Sequence, residues 1–234
     1  MTPPAFSPRG IRFDKIEKRY GTLYALRRVS LEIAPGECVV VAGRNGSGKT
    51  TLLRIAARLV LPSAGHLNFI GSDQHVANDK TRSGFVAHAT MVYDELTAEE
   101  NLLLFARLQE VPNPAARVAA LLAEVELSER RGSLVRTFSR GMRQRIAVAR
   151  ALLQEPSVLL LDEPATGLDP QGTTWLAQAL RRLRDARCTI LMSLHGESKI
   201  SSLATRAIRL EAGVIAADTR MGADVRSILT FADA

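Results

Sequence analysis

The run Gly43-Arg44-Asn45-Gly46-Ser47-Gly48-Lys49-Thr50 constrains this chain more than any other feature. It matches G-x-x-x-x-G-K-[ST] in full. An apolar pentapeptide, Cys38–Ala42, precedes it, and a stretch with Leu52, Leu53, Ile55 and Ala56 on one side follows. That context predicts a buried strand, a glycine-rich turn and a helix. Glycines let backbone N–H groups turn inward and approach phosphate oxygens, and the helix that opens near Lys49 adds the positive end of its dipole. Lys49 brings a full charge to the β and γ phosphates of a nucleotide, and the Thr50 hydroxyl is a ligand for Mg²⁺. Gly43, Arg44, Asn45, Gly46, Ser47, Gly48, Lys49, Thr50 and the adjoining Thr51 are the candidate phosphate-binding residues. The plainer alternative is a glycine-rich turn with a surface lysine, which the strand before and the helix after speak against.

A second apolar run, Val158-Leu159-Leu160-Leu161, closes on two carboxylates, Asp162 and Glu163. Neighbours on extended chain point to opposite sides, so the two acids are expected to serve different ligands. In the phosphate-loop pattern a strand-end Asp holds the metal. Asp162 is then the candidate for Mg²⁺, and Glu163 the candidate base for an attacking water.

The rest of the chain reads as alternating strands and helices around these motifs. Val29, Leu31 and Ile33 alternate with Ser30 and Glu32, as on a half-buried strand, and the stretch from Ile11 to Ala42 is expected to hold short strands. A helix is expected from Lys49 to Val60, ended by Pro62 and Gly65, with strands near Leu67–Ile70 and Gly84–Val86. From Thr97 to about Leu153 the pattern turns helical. Thr97 with Glu100 forms a capping box, Asn113-Pro114 opens a second helix, and Ser139 caps a third that Pro156 stops. Then come a strand at Val158–Leu161, a helix from Asp169-Pro170 through Leu183, a strand at Cys188–Ser193, and a hairpin of Ala207–Glu211 with Val214–Ala216. The expected class is α/β, a mostly parallel sheet flanked by helices. The expected division is a flexible N-terminus at 1–10 and one domain at 11–234. Within it, 11–87 and 156–220 form the α/β core and 88–155 a helical subdomain.

Composition narrows the partners little. With 234 residues, 46% hydrophobic and 24% charged, the chain fits a single globular domain. Its net charge of +7 suits nucleic acid, an anionic membrane surface or a phosphate-rich ligand, without choosing among them. Cys38 and Cys188 lie far apart in sequence, each opening an apolar segment, so buried reduced thiols are expected rather than a disulfide or a zinc site. The first ten residues carry no apolar signal-peptide core, and no window approaches ~18 consecutive apolar residues. If this protein serves a membrane, another chain crosses it.

Phe138-Ser139-Arg140-Gly141-Met142 supplies the remaining motif. With the phosphate loop before it and the acidic pair after it, the chain resembles the ATP-binding domains of the ABC transporter family from about Ile11 to Ala217. The family's signature is commonly Leu-Ser-Gly-Gly-Gln. The resemblance implies a P-loop NTPase core with an N-terminal antiparallel β subdomain and an inserted helical subdomain. It also implies ATP with Mg²⁺ and a head-to-tail pair of such domains, as a homodimer or pseudo-dimer. In that pair Ser139 and Gly141 would contact the γ-phosphate held by the partner's glycine loop. A Ser-capped helix start suits this, because it offers free N–H groups and a dipole to an anion. By the same resemblance Tyr20 would stack on adenine, Asp169 would lie in the loop that crosses the interface, and His195 would be the switch histidine near the γ-phosphate, joining Glu163 and Lys49 as catalytic.

Two departures from the family pattern stand out. His88 occupies the position of a glutamine that links Mg²⁺ and the attacking water to the membrane subunit. It is therefore a candidate nucleotide-site and metal-side residue, and a titratable one near neutral pH. Arg140 and Met142 replace the commoner Gly and Gln. Both departures are similar to the ATP-binding subunits of haem exporters in cytochrome c biogenesis, while exporters of drugs and polysaccharides share the signature variation. The expected protein is an ATP hydrolase at the cytoplasmic face of the cell membrane, peripheral to an integral membrane permease that exports cargo, haem or another. A nucleic-acid clamp of repair or translation is the alternative. It is disfavoured by the lack of a coiled-coil insertion, a cysteine zinc module or a second ATPase domain, so no nucleic-acid partner is expected. A regulator that hydrolyses nothing is disfavoured by the complete motor residue set.

Overall fold

The computed structural model describes residues 8–71, 83–194, 199–221 and 228–229. The chain opens with two long strands, β1 (Gly10–Tyr20) and β2 (Leu23–Ile33), followed by β3 (Cys38–Ala42), α1 (Lys49–Ala56), β4 (Ala64–Ile70) and β5 (Ser83–Val86). Three helices come next, α2 (Ala98–Leu108), α3 (Pro114–Glu124) and α4 (Arg140–Ala151). The chain then returns through β6 (Val158–Asp162), α5 (Pro170–Asp185), β7 (Thr189–Ser193), β8 (Arg206–Glu211) and β9 (Val214–Asp218).

Two sheets result. One is three-stranded and antiparallel, in the order β2-β1-β4; the other has six strands, β5-β6-β7-β3-β8-β9, parallel except for β9. The central strands are buried on both faces and alternate between two cores. Cys38, Val40 and Ala42 of β3 join one core with α2–α5, while Val39 and Val41 join another with α1 and the antiparallel sheet. β6 divides the same way, Leu159 and Leu161 against Val158 and Leu160. Each such valine or leucine contributes about 1.5–3 kcal/mol on burial. Cys38 and Cys188 are free buried thiols, and burial pushes both up to about 12.

Several local expectations need correction. The segment from Ile11 holds two eleven-residue strands rather than short ones, and their register shifts where Lys15 and Arg28 turn left-handed, each at φ 49°. Helix α1 stops at Ala56, four residues before the expected Val60. Arg58 sits at φ 57°, its N–H donates to Ile55 O, and Leu59 N–H donates to Arg54 O. That is a Schellman ending, made by an arginine where glycine is usual. Asn113 precedes α3 as predicted, but its own φ of 48° leaves its side chain without a capping bond. The Thr97–Glu100 capping box is present in full. The hairpin turn at Ala212-Gly213 uses two positive φ values, 45° and 81°, as a two-residue turn requires. Gly10 already belongs to β1.

Candidate functional site

The glycine loop follows β3, the strand between β7 and β8, at the carboxyl edge of the parallel strands where α/β folds bind ligands. Its glycines are required by contact as well as by φ. A Cβ on Gly43 (φ 147°) would stand 2.3 Å from Leu210 O, and one on Gly48 (φ 109°) 2.5 Å from Ala25 O. Arg44, Asn45 and Gly46 are exposed, whereas Ser47 is buried and its Oγ has no hydrogen-bond partner among the described residues. Thr51 is half-buried in the first turn of α1.

Lys49 is 5% exposed, and its Nζ donates to Gly43 O at 2.6 Å and Arg44 O at 3.2 Å. Burial lowers its proton affinity from the ordinary lysine value, opposed by the nearby Glu163 and Asp162 carboxylates. An ammonium bonded to neutral carbonyls beside an orphaned buried hydroxyl is the donor set that an oxyanion completes. The residues present therefore fit a phosphate chain.

The acidic end of β6 is organised by β7. Parallel pairing sets Asp162 opposite Ser193. Ser193 Oγ donates to Asp162 Oδ1 at 2.8 Å and accepts the Glu163 N–H at 2.9 Å. Thr50 Oγ1 donates to the same Asp162 oxygen at 3.0 Å. A hydroxyl and a carboxylate side by side are hard oxygen donors. Mg²⁺ takes one or two such protein ligands and completes its shell with phosphate and water, so these residues fit that ion.

Glu163 does not continue the extended strand. It sits at φ 51°, so opposite pointing along an extended chain is not what separates it from Asp162. The left-handed turn brings its Oε2 to 3.6 Å from His88 Nδ1 and to 3.5 Å from Thr166 Oγ1. A positive φ at a non-glycine residue is a strained position of the kind found at functional sites. His88 forms no described hydrogen bond or ion pair with Thr50 or Asp162; the structure joins it to Glu163 instead.

Ser139 caps α4, its Oγ accepting from Met142 N at 3.3 Å, and it is exposed; a Cβ added at Gly141 would come no nearer than 3.9 Å to Ser139 Oγ. This open helix start is not joined to Lys49 within the chain. Asp169 caps α5 through Gly172 N–H at 2.6 Å. Tyr20 ends β1, 48% exposed, with Lys18 Nζ 5.1 Å from its ring centre; it is a strand-end tyrosine, but not a core one. His195 lies outside the described residues. Sequence reasoning did not pick out Ser193 or Thr166. The signal for Ser193 was a hydroxyl closing an otherwise apolar strand, the mirror of Asp162 closing β6.

Fold and site together define a phosphate-loop nucleotide hydrolase. The chain matches the ABC transporter family over residues 26–166 and belongs to it. It is 36% identical over 212 residues to the daunorubicin resistance ATP-binding protein DrrA3 of Streptomyces coeruleorubidus, covering 89% of this chain and 67% of that one. With the Nod factor export ATP-binding protein I of Paraburkholderia xenovorans it shares 35% over 207 residues, covering 87% and 68%. With the ABC transporter ATP-binding protein NatA of Bacillus subtilis it shares 37% over 196 residues, covering 82% and 80%. Among solved structures, the dimeric post-hydrolysis state of the ATP-binding cassette MJ0796 bound to ADP and Pi superimposes with a TM-score of 0.77 at 27% identity, covering 89% of this chain and 97% of that one. The chain is an ABC-type ATP hydrolase that uses Mg²⁺. Among the described residues no helix is long and apolar enough to cross a membrane.

Proposed function

We propose that this chain is the motor of an exporter, in which two copies close head to tail on two ATP molecules and drive a separate membrane-spanning subunit. One observation carries the reading. Lys49, Thr50, Asp162 and Glu163 lie together at one strand edge, while the Ser139 helix start of the same chain is exposed and shares no described bond with Lys49.

In this reading Lys49 and the loop N–H groups hold the β and γ phosphates, with Arg44, Asn45, Gly46, Ser47 and Thr51 shaping the cradle. Thr50 and Asp162 hold Mg²⁺, which when bound neutralises phosphate charge and orients the γ-phosphoryl group. Glu163 orients and deprotonates the attacking water, with His88 beside it and His195 as the switch histidine. Tyr20 stacks on adenine. Ser139 and Gly141 of the partner copy present a helix N-terminus to the γ-phosphate, adding preorganised N–H donors where charge develops. The permease would sit across the membrane with this chain at its cytoplasmic face. Exposed Leu59 and Met91, bordering a groove floored by Phe85 and Phe105, offer apolar surface for such a contact.

For cargo, the names of the relatives above, a drug-resistance protein and a Nod factor exporter, favour export of a drug or a Nod-factor-like molecule over haem. Haem export rests on the resemblance carried by His88 and by Arg140 with Met142. None of the relatives named above is a nucleic-acid clamp, and the test for that reading is stimulation of hydrolysis by DNA or RNA. The direct test of the motor is Glu163→Gln: ATP binding kept within a few-fold and turnover down at least ~10²-fold. Unchanged turnover would remove Glu163 from the mechanism.

A further inference from the structure

Arg140 is the first residue of α4, between the two signature residues Ser139 and Gly141. A cation there opposes the helix dipole by about 0.3–1 kcal/mol, so it is not present to stabilise the helix. Its side chain crosses to the segment that follows β6. Nε donates to Thr166 O at 2.9 Å. The guanidinium packs against Gly167, where a Cβ would stand 2.5 Å from Nε and 2.6 Å from Cζ. Gly167 has φ 71°, so the backbone turns there and leaves room that the guanidinium fills. Thr166 in turn holds Glu163 twice, donating from Oγ1 to Oε2 at 3.5 Å and from its N–H to Glu163 O at 3.2 Å.

We propose that Arg140 is a positioning residue that ties the two half-sites of one chain together. The inference rests on the two-copy reading above, in which Ser139 serves the partner's nucleotide and Glu163 the chain's own. Engagement of Ser139 by a phosphate then fixes Arg140, Thr166 and the left-handed turn at Glu163, so that filling one site orders the water-activating carboxylate of the other. Only an arginine supplies a planar Nε donor with this reach; glycine, the commoner residue at this point of the signature, supplies nothing.

The test compares the full-length chain with Arg140→Gly and with Gly167→Ala, which displaces the guanidinium without removing its charge. Hydrolysis is measured against ATP concentration. ATP-driven dimerisation is measured for each chain in a Glu163→Gln background. The parent is expected to be sigmoidal with a Hill coefficient approaching about 2, the number of sites. Both variants should fall to about 1 with a several-fold lower kcat, while still dimerising with ATP. Dimerisation without sigmoidality in the variants supports the tie, since a merely misfolded chain would lose both. If either variant keeps the parent's sigmoidality and kcat, or the parent shows none, the inference is overturned. Failure of the parent to dimerise with ATP instead overturns the two-copy reading beneath it.

Discussion

Replacing Ser193 with alanine should damage both stability and turnover while sparing nucleotide binding. The hydroxyl is fully buried, donates to a carboxylate at 2.8 Å and accepts a backbone N–H at 2.9 Å. A hydrogen bond to a charged group is worth about 1.5–3 kcal/mol and a neutral one about 1 kcal/mol. The loss is therefore about 3 kcal/mol. For a chain of this size that is a fall in Tm of roughly 6–12 °C. The kinetic effect follows from geometry. Ser193 anchors the N–H of Glu163 at its left-handed turn, and a misplacement near 1 Å of a catalytic group costs up to ~10²-fold in rate. The glycine loop and Lys49, which hold the phosphates in the proposed reading, share no described side-chain hydrogen bond with Ser193, so the Kd for ATP should stay within about threefold. Urea unfolding, equilibrium nucleotide binding and steady-state hydrolysis read the three quantities separately. Ser193→Thr keeps the hydroxyl and should recover most of the kcat. If Ser193→Ala leaves stability within ~0.5 kcal/mol and kcat unchanged, the Thr50–Asp162–Ser193–Glu163 chain is not what positions the acids.

At the other end of the sheet, Arg206 is 4% exposed and donates to both carboxylate oxygens of Asp218, with Glu37 at 3.5 Å and Glu32 O at 2.7 Å. Arg206→Met should cost about 3–5 kcal/mol by stranding buried carboxylates, and Arg206→Met with Asp218→Leu should recover much of it; equal losses in single and double variants would contradict this. Burial raises the Asp218 carboxyl's affinity for its proton, but the Arg206 bonds, the Arg220 N–H and the two guanidinium charges outweigh it and hold the group below the usual range. Because the folded value is depressed, the stabilisation is complete above the unfolded value near ~3.9 and is lost as pH falls through the folded one. Asp218→Asn should flatten the acid limb of a stability-against-pH curve, and parallel curves would refute the assignment.

What could be read in the sequence was whatever a short window contains. The glycine loop, the apolar run ending at Asp162, the Thr97–Glu100 box and the Ser139 cap each depend on residues within a few positions, and each lies where its pattern put it. What could not be read depends on strands meeting across sequence. Asp162 and Ser193 are register partners on β6 and β7, and nothing local to either announces the other. The left-handed backbone at Glu163, and the Schellman ending at Arg58, occur at residues with no intrinsic preference for positive φ; at Glu163 the N–H is held across the sheet by Ser193 Oγ. Arg140 looked like a departure from a motif, and only its contact with Thr166 gives the departure a physical role.

The central claim is that each nucleotide site is assembled from two copies of the chain, and complementation tests it most directly. Lys49→Ala disables a chain's own glycine loop, and Ser139→Arg disables what it offers its partner. Each variant alone should be inactive. In a mixed dimer one site combines the intact Lys49 of one copy with the intact Ser139 of the other. Equal mixing yields such dimers about half the time, each with one working site, so hydrolysis should return to about a quarter of the parent's rate at most. A mixture as inactive as its components, although dimers form, would contradict the shared site.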